Sequence, residues 1–191
     1  RQEVQALVDH FSKSAPKLIE DVIPKMIPLA ILHRVLQNLL DDGVHIRDFR
    51  TIIEAVAEQA ARTQDAVELT AAVRVALGPA IVQSLYGGVE ELQVIVVEPD
   101  LEKVLHQAVA ASSEALGIEP TLAEGLLRNA QKVVDRQESL GQPSALLVPD
   151  RLRSPLARLL RRAVPQIKVI AHAEIPDTRT IRVSAILGAA T

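Results

Sequence analysis

The sequence contains no cysteine. That excludes disulfides, thiolate metal centres and a cysteine nucleophile, and it is compatible with a reducing compartment. Tryptophan is also absent, aromatic residues make up 2% of the chain, and there is a single methionine. A core without them must be built from Leu, Ile, Val and Ala, and platforms for stacking unpaired bases are too few for single-stranded nucleic-acid binding. Positive charge is not in excess either. A net charge of −3 and a pI near 6.0 give no electrostatic reason to seek a polyanion. No apolar run approaches the roughly 18 to 20 residues that cross a bilayer, and no basic-then-apolar leader is seen. Because the chain opens on Arg1 rather than Met, it is expected to be a fragment of a longer protein.

What is present is an apolar content of 48% over 191 residues, enough for one or two domains with a real core. From Gln2 to Tyr86 the apolar residues recur at helical spacing. Leu32, Val35, Leu36, Leu39 and Leu40 form one stripe, and Phe49, Ile52, Ile53, Val56, Ala57 and Ala60 form the next. Gly43 stands where a left-handed residue ends the first of these helices, and Asp65 is a candidate N-cap for a helix carrying Leu69, Val73, Leu77 and Ile81. Pro16, Pro24 and Pro28 punctuate the early helices, and Pro79 is expected to kink a later one.

Gly87-Gly88 ends this pattern, and Leu92 to Val97 then reads as a strand. Helices opening at Pro99 and Pro120 follow, then a short apolar strand from Ala145 to Val148. A helix capped by Asp150 comes next, then a strand from Ile167 to Ala171. A last strand alternates Ile181, Val183, Ala185 and Leu187 against Thr180, Arg182 and Ser184, so one of its faces should be wetter, as at a sheet edge. The predicted class is α+β: an all-helical subdomain over residues 1–86, then a small α/β subdomain over 89–191 with a mixed, mainly parallel sheet.

Nothing in this pattern marks catalysis. The five histidines have no paired-ligand spacing, and the pair His172 and Glu174 follows a strand end where an exposed loop residue is the ordinary expectation. There is no phosphate loop, dinucleotide fingerprint or nucleophile elbow, and Ser112-Ser113 has no base beside it. No catalytic residue, cofactor or metal site is therefore predicted.

Three groups of residues are candidates for contact with a partner or another subunit. Arg47, Asp48 and Arg50 follow the Gly43 turn at a helix start, where Asp48 suits the helix dipole and the arginines do not. They serve either an internal capping network or a subunit interface, where guanidinium groups are enriched. Charge in the second half is segregated: residues 90–138 carry ten acidic and four basic residues, net −6, and residues 151–182 carry eight basic and two acidic, net +6. Arg151, Arg158 and Arg162 share one helical stripe with Arg161 beside it. That stripe reads either as a solvated face or as an attachment surface for an acidic partner, a neighbouring copy or anionic lipid. Glu174 and Ile175, in the segment Ala173-Glu174-Ile175-Pro176-Asp177, form a third candidate, with Ile175 either exposed for docking or tucked against the sheet.

The segment Val35-Leu36-Gln37-Asn38-Leu39-Leu40-Asp41-Asp42-Gly43-Val44-His45-Ile46-Arg47-Asp48-Phe49-Arg50-Thr51-Ile52-Ile53-Glu54 is too particular for composition to explain. With Arg1 to Gln5, Glu68 to Gly78, Leu146 to Val148 and Ala173 to Pro176, it resembles the FlhA/InvA/LcrD family of type III protein export. Pro16 to Asp21 and the arginine-rich Leu156 to Val164 resemble its flagellar more than its virulence-injectisome branch.

The resemblance implies the third and fourth subdomains of the cytoplasmic part of an export-gate membrane protein, lying at the cytoplasmic face of the bacterial inner membrane. It implies a homo-oligomeric ring, nonameric in the family, that receives export chaperone–substrate complexes, components of the export ATPase complex and other gate proteins. Gly78-Pro79 departs from the family's Gly followed by a basic residue, which puts any contact through that side chain in doubt. A non-catalytic regulatory domain holding a ligand near Gly87-Gly88 is the alternative.

Overall fold

The computed structural model describes residues 2–111 and 117–188. Arg1 and the serines Ser112 and Ser113 lie outside them. The chain separates into two compact units, residues 1–81 and 82–191, with the division falling inside a helix.

The first unit is entirely helical among its described residues: α1 (Gln2–Ser12), α2 (Pro16–Val22), α3 (Leu29–Asp41), α4 (Phe49–Ala60), α5 (Ala66–Ala76) and the start of α6 (Gly78–Tyr86). Helical periodicity turns one stripe of each helix inward, so Leu32, Val35, Leu36 and Leu39 of α3, Ile52, Ile53 and Val56 of α4, and Leu69 and Val73 of α5 are buried together. Gly43 has φ of 73°, and the N–H groups of Gly43 and Val44 donate to the carbonyls of Leu40 and Leu39, which closes the end of α3. At the start of α5, Asp65 accepts from the N–H groups of Val67 and Glu68 at 2.8 and 3.0 Å. The expected kink at Pro79 is a full break. Leu77 ends α5, and Pro79 sits in the first turn of α6, where a missing N–H costs nothing. Phe11 and Phe49, the only two phenylalanines, meet edge to face at 5.3 Å.

The second unit is a four-stranded sheet with helices α7 (Pro99–Ala111), α8 (Pro120–Ser139) and α9 (Asp150–Ala163). Its strands β1 (Glu91–Val97), β2 (Ala145–Val148), β3 (Lys168–Ala171) and β4 (Thr180–Leu187) stand in the order β3-β2-β1-β4. Every pairing is parallel, so the expected mixed sheet has no antiparallel member among the described strands. Leu101 and Leu105 of α7, Leu126, Ala130 and Val134 of α8, and Leu152, Leu156 and Leu160 of α9 pack with Ile95, Val97, Leu146, Val148, Val169 and Leu187 into one core. All three helices thus cover the same face of the sheet.

The alternation expected of β4 is broken by a bulge, because the register with β1 shifts between Val94 and Ile95. Before the shift Ile181 and Val183 pair with Leu92 and Val94; after it Ile186 pairs with Val96, and Ala185 and Leu187 pair with Ile95 and Val97. Paired residues of parallel strands share a face, so Ala185 and Leu187 join the core while Ile181 and Val183 lie on the other face with Ile186.

Candidate interaction surfaces

The Arg47, Asp48 and Arg50 group lies in the turn from α3 into α4. Asp48 is the N-cap: its carboxylate accepts from the Thr51 N–H at 3.1 Å and from the Thr51 hydroxyl at 2.7 Å. Arg50 turns along the helix to Glu54 at 2.9 Å, an exposed ion pair one turn away. Neither arginine donates to the carbonyls that end α3, which the Gly43 turn has already satisfied. Arg47 is exposed and has no hydrogen-bond or ion-pair partner among the described residues.

Beneath this turn lies a charge pair that the sequence reading does not single out. Arg74 of α5 reaches Asp42 at the end of α3 at 3.3 Å, with side chains only 3% and 8% exposed. One helical turn earlier, the Asn38 amide donates to the Thr70 hydroxyl at 3.0 Å, and that hydroxyl donates to the Ala66 carbonyl at 2.6 Å. These polar links fix α5 against the end of α3, and through it the turn that carries Arg47. The hint in sequence is that Arg74 shares the buried stripe of α5 with Thr70 and Val73.

In the second unit, Arg151, Arg158 and Arg162 of α9 are exposed as the helical stripe requires, and Arg161 is half-buried. Arg153 instead points inward and lies 3.9 Å from Glu174, which is only 2% exposed. Glu174 is therefore spent inside the fold and is removed from the candidate surface. It belongs to a 3-10 turn, His172–Glu174, whose Ala173 N–H donates to the Asp150 carboxylate at 3.3 Å. Asp150 thus ties α9 to the end of β3 rather than capping the helix, and Pro149 holds the cap position. Ile175 is half-buried and His172 exposed. No group of His, Asp or Glu among the described residues could hold a metal ion.

The Gly87-Gly88 turn is held by a residue from the far end of the chain. The Arg179 guanidinium donates to the carbonyls of Val89 and Gly87 and to the Gln83 amide oxygen, the last two at 3.1 and 3.2 Å. It closes the end of α6, where Gly87 has φ of +66°. A Cβ on either glycine would meet nothing within 4 Å, so neither is kept small by a close approach. Nearby, the Tyr86 hydroxyl donates to the Gln93 carbonyl at 2.7 Å, and burial pushes its pKa up.

Comparison with known proteins places these features. The model of the FHIPEP family matches residues 1–180. The flagellar biosynthesis protein FlhA of Yersinia enterocolitica is 50% identical over 190 residues, which is 100% of this chain and 27% of that protein. The chain therefore spans about a quarter of the length of such relatives. Among solved structures, the Chlamydia pneumoniae CdsV protein superposes with a TM-score of 0.88 at 26% identity, covering 97% of this chain and 54% of that one. CdsV has also been solved in complex with CdsO. The nonameric SctV-C of enteropathogenic Escherichia coli shares the fold with a TM-score of 0.77 at 22% identity, covering 98% of this chain and 56% of its own.

Proposed function

The chain belongs to the FHIPEP family, and from that premise we propose that it is the C-terminal cytoplasmic part of a flagellar type III protein-export gate. The single observation that carries the proposal is 50% identity to a flagellar FlhA, sustained across the whole chain. The flagellar branch is favoured because proteins named for flagellar biosynthesis match at 50% and 49% identity over nearly the whole chain. In this reading the two units are the third and fourth subdomains, and the chain performs no chemistry. It is a platform at the inner face of the bacterial inner membrane. No single helix among the described residues is long and apolar enough to cross a membrane.

The platform is a ring of copies, as in the nonameric SctV-C. Arg47 is its subunit contact in the helical unit: it is exposed, its guanidinium has no carboxylate or carbonyl partner among the described residues, and it sits on a turn held by Asp48 and the Arg74–Asp42 pair. The ring's clients are chaperone–substrate complexes and components of the export ATPase complex, and the CdsV–CdsO complex supports a protein partner for this class of domain.

The test is a chimera in which this chain replaces the matching quarter of the Yersinia protein. Filament assembly and motility at the level of the parent are expected, with loss in the Arg47→Glu chimera. A chimera that accumulates stably yet exports nothing would overturn the proposal.

A further inference from the structure

Among the described strands β4 has β1 as its one neighbour, and its other edge combines three features. Ile181, Val183 and Ile186 are 45%, 52% and 60% exposed on the sheet face away from α7, α8 and α9, whereas Leu92, Val94, Leu147 and Ile170 of the neighbouring strands on that face are buried. Without the bulge, Ile186 would fall on the helix-covered face; with it, the apolar stripe runs the length of the strand. The backbone points the same way. Thr180 N–H donates to the Glu90 carbonyl and the Leu187 carbonyl accepts from Glu98, so these residues pair with β1 and the N–H and C=O groups of Ile181, Val183 and Ile186 are turned to the open edge. A long, apolar, uncovered edge strand is a liability that folded proteins ordinarily blunt.

The third feature is charge. α8 crosses β4 on the covered face, where the Asn129 amide donates to the Gly188 carbonyl at 2.9 Å and the Gln137 amide to the Ser184 hydroxyl at 3.0 Å. Leu127 lies on the flank of α8 that packs against the core. Arg128, Lys132 and Arg136, spaced four residues apart, lie on the opposite flank, on the side of Asn129 and the open edge. All three are exposed and none has a partner among the described residues. Glu124, Asp135 and Glu138 of the same helix stand, by helical spacing, on the side of this basic row away from Asn129, so the row itself borders the open edge. Arg182 on the same side is engaged by Glu91 at 3.5 Å.

We propose that this edge accepts an extended segment of a partner protein as a fifth strand, with acidic side chains toward α8 alternating with β-branched apolar side chains toward Ile181, Val183 and Ile186. The period of two follows from strand geometry: a strand laid against β4 meets the basic flank with every second residue and the apolar stripe with the others. Main-chain hydrogen bonds supply affinity, and the charge pattern supplies selectivity and fast encounter. This surface lies outside the proposed ring contact at Arg47 and does not depend on it.

The experiment is fluorescence anisotropy of a labelled synthetic peptide of alternating glutamate and valine, titrated with the whole chain. Saturable binding is expected, weakened about tenfold by Lys132→Glu with Arg136→Glu and weakened by added salt. The same peptide N-methylated at every second residue should bind about tenfold more weakly, because it keeps the charges and loses the ladder. The helix-surface variants leave the sheet untouched, and circular dichroism checks that they fold. Equal binding of the N-methylated peptide, equal binding of an alternating lysine–valine peptide, or no binding at all would overturn the proposal. So would self-association of the chain that Val183→Ser abolishes, since that would assign the edge to a second copy.

Discussion

The two units of this molecule treat their polar groups differently. The helical unit satisfies its backbone inside each helix, so its ends need only caps such as Asp48 and Asp65 and its surface is a matter of side chains alone. The α/β unit satisfies its backbone between strands, so its last strand leaves a row of donors and acceptors open beside exposed isoleucine and valine. In each unit an arginine–carboxylate pair is buried among the described residues, Arg74 with Asp42 and Arg153 with Glu174. A helical unit can therefore present a rigid charged point, while a sheet edge can present an extended template. The first suits packing between copies, the second the capture of a strand.

The comparison breaks most visibly at Arg74. Arg74→Ala takes the guanidinium away from the buried Asp42 carboxylate and should cost roughly 3 to 5 kcal/mol, the range for removing one member of a buried ion pair. Hydrogen exchange followed by mass spectrometry should show protection lost in α3 and α5 while β1 and β2 keep theirs; loss spread evenly over both units would mean that they do not differ as described.

Smaller effects sharpen the contrast within each unit. Asp65→Ala removes the cap of α5 and should lower stability by about 1 kcal/mol in urea denaturation, with Asp65→Asn recovering most of it. Tyr86→Phe should cost about 1 kcal/mol for the lost bond to Gln93. It should also change the alkaline limb. Burial raises the Tyr86 pKa in the folded state above its unfolded value of 10.0, so the folded chain holds the proton longer and its contribution to stability is complete below about pH 10 and lost as pH rises beyond. The phenylalanine variant should lose less stability between neutral pH and pH above about 10 than the parent does; parallel curves would show that the phenol does not contribute. Least of all, Arg50→Ala should change stability by less than about 0.5 kcal/mol, because its pair with Glu54 is exposed.

How much of this was legible in sequence follows from the range of the interactions involved. β2 could be read to the residue, because Ala145 to Val148 is an uninterrupted apolar run closed by Pro143 and Pro149. Asp65 and Gly43 could be read because capping is decided within three or four residues. The faces of β4 could not, since a bulge changes parity through pairing with a strand some ninety residues earlier, as the 90-residue separation of Ser184 and Val94 shows. Glu174 was read as a surface residue because its partner, Arg153, lies on a helix that local periodicity cannot bring to it. Arg153 does carry a local sign, because Leu156, Ala157 and Leu160 stand three, four and seven residues on and place it on the buried stripe. Of the candidate arginines, exposure of the α9 stripe follows from helical spacing, whereas the lack of a partner for Arg47 among the described residues is visible only once Gly43 is seen to satisfy the end of α3.

The central claim is that copies of this chain assemble through the turn that carries Arg47. Sedimentation velocity over a concentration series, at low and moderate salt, tests it most directly. The account predicts concentration-dependent species larger than a dimer that weaken with salt and disappear in Arg47→Ala, with the thermal midpoint of the variant unchanged. A monomer at every concentration, or assembly that Arg47→Ala leaves intact, would contradict it.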